Sequence, residues 1–237
     1  MKALILNSGM GKRMGNITAD YPKCMTEIGE NESILSRQLK QLYKFGIEEV
    51  VITTGYFNEV LTRYVGELNI PLKIEFVNNP LYDKTNYIYS IYLAKDRLKA
   101  DILLLHGDLV FDDHVLEKII KWEISCMTVS SAVPLPEKDF KAVLDEGRIT
   151  KIGIEFFDNA VSAQPLYKFL YSDFQNWLSN IIKFCEDGDT SCYAENALNE
   201  ILGDVLLKPY DVENMLCGEI DTIEDLAIMK KILKGND

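Results

Sequence analysis

Strand-like apolar segments alternate with amphipathic segments of helical spacing along the first half of the chain. The strand-like segments are residues 2–6, 49–53, 72–77 and 101–105. The segments with helical spacing are residues 33–45, 58–68 and 86–98. Apolar strands that alternate with helices are typical of a parallel sheet covered on both faces. We therefore predict an α/β fold with a doubly wound, mostly parallel, Rossmann-like sheet flanked by helices.

The pattern changes after residue 126. Turn signals at residues 134–136 and 146–147 separate β-rich segments up to about residue 157, which predicts a small antiparallel extension of the sheet. Helical spacing then covers residues 173–185, 194–202 and 223–233, with a short strand near residues 204–209. Because no Pro/Gly-rich linker, repeat or low-complexity tract divides the chain, we predict a single domain over residues 1–237.

The charge balance limits the kinds of partner. The chain has 237 residues, with 25 Lys and Arg against 37 Asp and Glu, which gives a formal net charge of −12. Nucleic acids and anionic membranes select clustered basic residues, so we expect neither as a partner. With 47% hydrophobic and 26% charged residues, the composition is typical of a soluble globular protein.

The N-terminus and the cysteines predict a cytoplasmic location. The first apolar run, residues 3–6, is too short for a signal peptide or a membrane-spanning helix. The five cysteines are widely spaced and include no C-x-x-C pair; they are Cys24, Cys126, Cys185, Cys192 and Cys217. An odd, scattered set of this kind favours free thiols in a reducing compartment.

A glycine-rich segment follows the first strand. It runs Leu6-Asn7-Ser8-Gly9-Met10-Gly11-Lys12-Arg13, and Lys23, preceded by Pro22, comes ten residues after Arg13. Glycine leaves the main chain uncovered, so such a loop at the end of a parallel strand offers backbone N–H groups to phosphate oxygens. We predict a polyphosphate site formed by Leu6, Asn7, Ser8, Gly9, Gly11, Arg13 and Lys23.

Other glycine motifs fit this segment less well. The dinucleotide fingerprint G-x-G-x-x-G requires a small residue where Met14 stands, and an acidic residue about twenty positions later. The P-loop string G-x-x-x-x-G-K-[ST] does not occur in the sequence. A strand-to-helix turn that merely requires glycine is the remaining alternative.

The pattern G-x-G-x-R, a ten-residue interval and then P-K resembles the signature of the nucleotidyltransferases that activate sugar phosphates and phosphocholine. The resemblance covers nearly the whole chain, because Gly55-Tyr56, His106-Gly107-Asp108 and Glu219-Ile220-Asp221 follow in the expected order. It implies that the loop wraps a nucleoside triphosphate, and that Arg13 and Lys23 bind its phosphates.

The resemblance also implies a metal site and a mechanism. It implies that Asp108 holds Mg²⁺ between the α-phosphate and the acceptor phosphate, with Asp221 as a second carboxylate. Each has a structural alternative, since Asp108 could cap a turn and Thr222 or Asp221 could cap the last helix. An acceptor phosphate is already anionic, so its attack on the α-phosphorus depends on positioning and charge neutralisation. We expect Arg13, Lys23 and Asp108 to be the catalytic residues.

Residues 78–90 form a polar loop that runs into a helix. The segment resembles the phosphocholine cytidylyltransferase branch, which has an Asn followed by an aromatic, Ser-containing helix here, whereas sugar-phosphate enzymes usually carry a Gly-Thr-Ala type sequence. The resemblance implies CTP as the nucleotide. Thr85, Asn86 and Ser90 are the candidates for base and ribose contacts, and a capped helix start is the alternative.

The acceptor is expected to bind mainly within residues 126–215. Sugar-activating members usually show Glu-Lys-Pro after the G-R-[IV] strand, and residues 147–155 lack this triplet, which favours a small non-sugar phosphate or phosphonate. Lys168 could bind the acceptor's phosphate, with an exposed strand lysine as the alternative. Tyr193 and Glu195 could bind a cationic group. Trp122 and Trp177 stand at helix-like positions, so neither is expected to complete an aromatic cage for choline.

The sequence therefore predicts a cytoplasmic, Mg²⁺-dependent cytidylyltransferase, either a monomer or a homodimer. It would transfer CMP from CTP to phosphocholine, phosphoethanolamine, aminoethylphosphonate or an amide or amino-acid phosphate. Release of pyrophosphate would leave a CDP-activated donor for decorating cell-surface polysaccharide or lipid. The alternatives are a sugar-1-phosphate uridylyl- or thymidylyltransferase and a nucleotide-binding domain without catalysis.

Overall fold

The computed structural model describes residues 1–235, apart from the side chains of Lys12 and Asn16, and is built around one large sheet. The strands are β1 (Lys2–Leu6), β2 (Glu27–Gly29), β3 (Glu32–Ser33), β4 (Glu49–Thr54), β5 (Lys73–Asn78), β6 (Ile102–His106), β7 (Leu109–Phe111), β8 (Cys126–Ser130), β9 (Lys141–Asp145), β10 (Arg148–Gly153), β11 (Ala160–Phe169), β12 (Lys208–Asp211) and β13 (Cys217–Glu219). The α-helices are α1 (Ile34–Lys44), α2 (Asn58–Glu67), α3 (Tyr87–Ala94), α4 (Asp113–Lys121), α5 (Tyr171–Glu186), α6 (Ala194–Asn199) and α7 (Ile223–Gly235).

The order of the strands creates a crevice at one edge of the sheet. The order is β10-β9-β11-β6-β1-β4-β5, and β8 pairs with both β11 and β12. β1 pairs in parallel with β4 on one side and with β6 on the other. The chain therefore leaves β1 for β4 and returns later to β6, which makes the carboxyl ends of β1 and β6 the switch point where α/β sheets bind ligands.

Helices cover both faces of this sheet, which confirms the predicted doubly wound arrangement. On one face, alternate strand residues such as Leu4 and Leu104 pack with buried residues of α3, α5 and α6. On the other face, Ile5 and Leu105 pack with buried residues of α1, α2 and α4. The strands can read as apolar runs because neither face meets water.

The antiparallel extension joins the main sheet. β11 pairs antiparallel with β6, β8 and β9, and β10 continues the sheet beyond β9. The short strand expected at residues 204–209 lies instead at Lys208–Asp211, where it pairs in parallel with β8. This register aligns Lys208 with Cys126. The position is therefore set by pairing with a distant strand rather than by the local pattern.

The three-residue strands β2, β7 and β13 have no counterpart in the predicted elements, and β7 and β13 shape the site. These two pair antiparallel with each other, and the N–H of Ile220 donates to the carbonyl of Asp108 over 3.0 Å. Segments this short carry too little periodicity to be predicted. Their pairing brings the segment 219–221 beside Asp108, at the switch point.

The ends of α1 follow the predicted signals. Ser33 is the N-cap, and its hydroxyl accepts the Ser36 N–H over 3.0 Å. Gly46 follows the helix with a φ of +78°, a conformation that glycine adopts without strain. Within residues 1–235, no helix has both the length and the apolarity needed to cross a membrane. All five cysteines are free thiols in the structure.

Candidate active site

Two adjoining cavities open at the carboxyl ends of β1 and β6. The larger has a volume of about 410 Å³ and is lined by Leu6, Asn7, Gly9, Met10, Gly11, Arg13, Pro22, Lys23, Cys24, Tyr82, Asp83, Gly107 and Asp108. The smaller has a volume of about 190 Å³ and is lined by Leu6, Ser8, Gly9, Asn79, Tyr82, Thr85, Asn86, Tyr87, Ser90, His106 and Asp108. The predicted phosphate loop and the predicted base segment therefore lie on either side of Asp108.

Lys23 is the centre of the charged part of this cleft. Its Nζ lies 2.6 Å from Asp108 Oδ2 and 2.6 Å from Asp221 Oδ1. Arg13 Nη2 lies 2.7 Å from the same oxygen of Asp221. Burial alone would lower the pKa of the Lys23 ammonium, but the two carboxylates outweigh it and the pKa is raised. Lys23 in turn holds the pKa of Asp108 below its ordinary value against the effect of burial.

The cap of α7 leaves the Asp221 carboxylate available to the cleft. Thr222 Oγ1 accepts the N–H of Asp225 over 3.1 Å, and Asp225 Oδ2 accepts the N–H of Thr222 over 2.8 Å. This reciprocal pair is a capping box. Thr222 therefore caps the last helix, as one of the two alternatives expected, and the Asp221 side chain is bound by Lys23 and Arg13 instead.

The carboxylates around Asp108 form a donor set that fits Mg²⁺. Ligand atoms of His106, Asp108 and Glu219 lie within 4.8 Å of one another, and Asp221 faces Asp108 across the Lys23 ammonium. Burial and the charge of Asp108 raise the pKa of Glu219 to about 7, which reflects crowded negative charge. Carboxylate oxygens are the protein ligands that Mg²⁺ prefers. Asp108 and Asp221 were predicted as ligands, and Glu219 was not.

His106 is held by Glu219 and borders the smaller cavity. Its Nδ1 lies 2.9 Å from Glu219 Oε1. Burial would lower the pKa of the imidazole, but the contact with Glu219 raises it to about 9. The ring of Tyr87 packs edge-on against the imidazole, with centroids 5.1 Å apart. The pair thus fixes one wall of the cavity beside Asp108.

Two glycines allow the loops of the cleft to approach one another. A Cβ atom on Gly55 would lie 2.4 Å from the carbonyl oxygen of Ser8 and 2.9 Å from Cβ of Tyr82. A Cβ atom on Gly107 would lie 1.6 Å from Oδ1 of Asn7. Side chains at these positions would displace the phosphate loop, so both glycines are required by close packing and not by an unusual φ.

Replacing Gly55 by alanine should test this packing. We expect Gly55→Ala to lower the free energy of unfolding by about 1–3 kcal/mol, because overpacking forces the backbone apart. In a chain of this size that corresponds to a drop in Tm of several degrees, measured by thermal denaturation. Gly66→Ala is the control, since a Cβ there meets nothing within 4 Å and lies in α2. We expect it to leave Tm unchanged or higher; equal destabilisation by both variants would contradict the packing argument.

The predicted base contacts are part of a hydrogen-bond network. Asn79 Nδ2 donates to Thr85 Oγ1 over 3.0 Å and to Ser90 Oγ over 3.1 Å. Ser90 Oγ then donates to Ser8 Oγ over 2.9 Å. Thr85 donates to the carbonyl of Leu81, so both of these hydroxyls are used inside the protein. Asn86 caps α3 by accepting the N–H of Tyr87, as the alternative interpretation expected.

Glu195 supports the cleft from beneath and does not line it. The side chain is 1% exposed, and its two oxygens accept the hydroxyls of Tyr87 and Tyr167. A direct contact of Glu195 with the acceptor, as predicted, is therefore corrected, because the carboxylate is buried and lines neither cavity. Tyr193 is 37% exposed and packs against the rings of Tyr87 and Phe140, so an acceptor contact by Tyr193 stays a prediction.

Lys168 lies outside both cavities. It is 5% exposed, and its Nζ donates to the carbonyls of Ile120, over 3.0 Å, and Trp122 at the end of α4. These are carbonyls that a helix end leaves without intrahelical partners. The prediction that Lys168 binds the acceptor's phosphate is therefore corrected, and so is its alternative as an exposed strand lysine.

Replacing Lys168 should affect stability and not acceptor binding. We expect Lys168→Met to lower the free energy of unfolding by about 1–3 kcal/mol, because two carbonyls lose their donor in a buried place. Thermal denaturation measures this effect, and steady-state kinetics measures the acceptor KM, which we expect to stay within about twofold of wild type. A large rise in the acceptor KM with an unchanged Tm would instead support the prediction that Lys168 binds the acceptor's phosphate.

Several residues of the cleft were missed from the sequence. Asn79, Tyr82, Tyr87, His106 and Glu219 line the cavities or hold their walls. The position of Tyr87, next to the N-cap Asn86 at the open end of α3, was the available signal. No signal in the sequence indicated which side chains bind one another across the cleft.

Two known proteins resemble this chain, one over almost its whole length and the other over half of it. It is 30% identical to CTP:phosphoglutamine cytidylyltransferase from Campylobacter jejuni, over 96% of this chain and 98% of that protein. It is 34% identical to CMP-5'-(3-aminopropyl)phosphonate synthase from Streptomyces rubellomurinus, over 50% of this chain and 19% of that protein.

A solved structure and a family model also match this chain. The structure of CTP:phosphocholine cytidylyltransferase from Streptococcus pneumoniae superposes with a TM-score of 0.82 at 20% identity, covering 98% of each chain, which confirms the predicted fold. The model of the family described as nucleotidyl transferase matches residues 2–134, more than half of the chain. Motif order, cleft and relatives thus point the same way, and the chain belongs to the nucleotidyl transferase family.

Proposed function

We propose that this enzyme transfers CMP from CTP to a small non-sugar phosphate or phosphonate and releases pyrophosphate. The observation that carries the proposal is the Lys23 ammonium, held 2.6 Å from both Asp108 and Asp221 at the sheet's switch point. A smaller, base-sized pocket, lined mostly by neutral polar and aromatic side chains, adjoins it and meets the charged part at Asp108 and His106. A cleft with Lys23 and Arg13 on one side and mostly neutral polar groups on the other suits a nucleotide with its phosphates over Lys23.

The residues of the larger cavity supply what in-line phosphoryl chemistry requires. The backbone of Ser8 to Gly11 would bind phosphate oxygens through its N–H groups. Arg13 and Lys23 would neutralise the triphosphate and the leaving pyrophosphate. The acceptor's own anionic oxygen attacks the α-phosphorus, so no side chain has to remove a proton. Lys23 is already oriented by two carboxylates, which lowers the cost of organising the site during the reaction.

Mg²⁺ would be held by Asp108 and Asp221, with Glu219 close enough to bind it or to orient a bound water. When bound, the ion supplies positive charge to the phosphate oxygens of the reacting centre. Lys23 and Arg13 then remain free to contact phosphates, because the ion would take over the charge of the two aspartates.

The proposal of CTP draws on the relatives. Those reported above are named for CTP or for a CMP-linked product, and the chain matches one of them end to end. Their acceptors, by name, are phosphoglutamine, an aminopropylphosphonate and phosphocholine, all small non-sugar compounds. We extend this class to the present enzyme, including phosphoethanolamine and aminoethylphosphonate as candidates.

The acceptor would lie against the aromatic side chains next to Asp108. Tyr87, Tyr193 and Phe140 form a continuous set, with ring centroids 5.9 Å and 4.9 Å apart. Aromatic faces stabilise ammonium and amide groups that follow a phosphate or phosphonate. The product would be a CDP- or CMP-linked donor for decorating cell-surface polysaccharide or lipid, made in the cytoplasm by a monomer or homodimer.

A pyrophosphate-release assay with Mg²⁺ tests the proposal. CTP, UTP, dTTP, ATP and GTP are each combined with phosphocholine, phosphoethanolamine, aminoethylphosphonate, glutamine phosphate and glucose-1-phosphate. We expect release only with CTP and one or more of the non-sugar acceptors. Release with UTP or dTTP and glucose-1-phosphate would establish the sugar-1-phosphate alternative. Nucleotide binding without release in any combination would contradict the proposal and favour a binding domain.

A further inference from the structure

The orientation of the Asn79 carboxamide fixes the direction of the network beside the smaller cavity. Asn79 is 1% exposed, and its Oδ1 accepts the N–H of Leu81 over 2.9 Å. A backbone N–H can only donate, so Oδ1 is correctly the oxygen and Nδ2 the nitrogen. Nδ2 therefore donates to Thr85 Oγ1 and Ser90 Oγ, and both of its hydrogens are used. Ser90 Oγ is thereby an acceptor in this contact.

The proton of Ser90 then determines the role of Ser8. Ser90 is fully buried, and among the described residues the acceptor for its hydroxyl is Ser8 Oγ, 2.9 Å away. Buried hydroxyl protons are rarely left without an acceptor. Ser8 Oγ therefore accepts from Ser90, and its own proton is directed elsewhere. Ser8 lines the smaller cavity, and its hydroxyl donates to no acceptor among the described side chains and backbone groups. The Ser8 hydroxyl is therefore a hydrogen-bond donor toward the cavity.

Asn86 offers a second donor to the same cavity. Its Oδ1 accepts the N–H of Tyr87 over 2.7 Å, which again identifies the oxygen. Its Nδ2 donates to no other residue in the described part of the chain. Asn86 is half-buried and lines the smaller cavity. Ser8 and Asn86 thus each direct a side-chain donor to this pocket, while the Thr85 hydroxyl donates to the carbonyl of Leu81.

Pyrimidine bases differ in the edge that can meet two donors. Cytosine has adjacent acceptors at N3 and O2, whereas uracil and thymine place an N–H donor at position 3 between two carbonyl oxygens. We propose that Ser8 and Asn86 select cytosine by donating to N3 and O2, and that Asn79 and Ser90 are positioning residues that orient Ser8. Uracil would place its N3–H against a donor. This inference rests on the proposed use of CTP and names the groups that enforce it.

Binding of four nucleotides to the wild-type enzyme tests the proposed contacts. Dissociation constants are measured by calorimetry with Mg²⁺ and without acceptor for CTP, UTP, 3-deaza-CTP and pyrimidin-2-one ribonucleoside triphosphate. 3-Deaza-CTP lacks the N3 acceptor, and the pyrimidin-2-one lacks only the 4-amino group. We expect the pyrimidin-2-one to bind within about threefold of CTP, and UTP and 3-deaza-CTP to bind about tenfold or more weakly, the loss of one hydrogen bond.

Two variants determine which of the two residues donates to N3 of the base. Ser8→Ala removes one donor, and Asn86→Asp replaces the other by an acceptor while keeping a good helix N-cap. We expect the ratio of the 3-deaza-CTP and CTP dissociation constants to fall to about one in the variant that has lost the donor to N3. We also expect Asn86→Asp to lower the ratio of the UTP and CTP dissociation constants. Because each ratio compares ligands on one protein, general destabilisation cancels.

The outcomes separate this inference from the proposed function. If both variants keep the wild-type ratio of 3-deaza-CTP to CTP, or if the pyrimidin-2-one binds as weakly as UTP, the inference is wrong while CTP remains the substrate. If UTP binds as tightly as CTP and is turned over with glucose-1-phosphate, the proposed function itself fails.

Discussion

Replacing Lys23 by methionine should reduce kcat/KM by about 10²–10³-fold, which is typical when one preorganised group is removed from the reacting charge. Lys23 Nζ lies 2.6 Å from Asp108 and from Asp221, so the change removes the cation that both carboxylates share at the phosphate end of the cleft. Methionine keeps the length and the apolar part of the side chain. The dependence of the initial rate of pyrophosphate release on CTP concentration, with Mg²⁺ and saturating acceptor, measures the effect.

Lys44→Met is the matched control for Lys23→Met. Lys44 forms an ion pair of the same length, 2.6 Å, with Asp113 outside the cleft. Its side chain is 62% exposed, so we expect kcat/KM to stay within about twofold of wild type. Circular dichroism establishes that both variants are folded. Wild-type activity of Lys23→Met would contradict a role of Lys23 in catalysis and would show that its ion pairs are structural only.

Replacing Asp108 by asparagine should reduce turnover by about 10³-fold or more. Asp108 lies between β6 and β7 at the switch point and contacts Lys23. It shares a cluster of possible ligand atoms with His106 and Glu219. Asparagine preserves the shape but removes the charge that both Lys23 and a bound Mg²⁺ would require. Turnover measured over a series of Mg²⁺ concentrations should also show a loss of the metal response.

Asp113→Asn is the control for Asp108→Asn, because Asp113 pairs with Lys44 and lines neither of the two cavities. We expect its turnover and its Mg²⁺ response to match wild type. Binding of CTP to Asp108→Asn separates catalysis from folding, since a folded variant should still bind the nucleotide. Normal turnover by Asp108→Asn would contradict both the metal site and the assignment of Asp108 as catalytic.

The parts of the fold with strong local periodicity could be predicted from the sequence. β1 was predicted at Lys2–Leu6, where the structure has it, because four apolar residues end abruptly at a polar, glycine-rich turn. α1 was predicted to within one residue at each end, since Ser33 and Gly46 mark its limits. In these segments the local signal and the tertiary packing favour the same structure.

The parts that depend on distant pairing could not be predicted. β7 and β13 are three residues each and are separated by more than one hundred positions, yet their pairing brings Asp221 to Lys23. Lys168 shows the same difficulty at a single residue. Alternation along β11 does not reveal that its ammonium meets the carbonyls at the end of α4. Loop motifs thus indicated the phosphate side of the site, while the supporting contacts required the structure.

The most direct test of cytidylyl transfer follows the phosphorus atoms of CTP by ³¹P NMR. The wild-type enzyme is incubated with Mg²⁺, CTP and the acceptor that supports pyrophosphate release. We expect one pyrophosphate for each CTP consumed, while the α-phosphorus appears in a new linkage to the acceptor's phosphorus. Formation of CDP and orthophosphate, or of CDP and a phosphorylated acceptor, would place bond cleavage at the γ-phosphate and contradict the account.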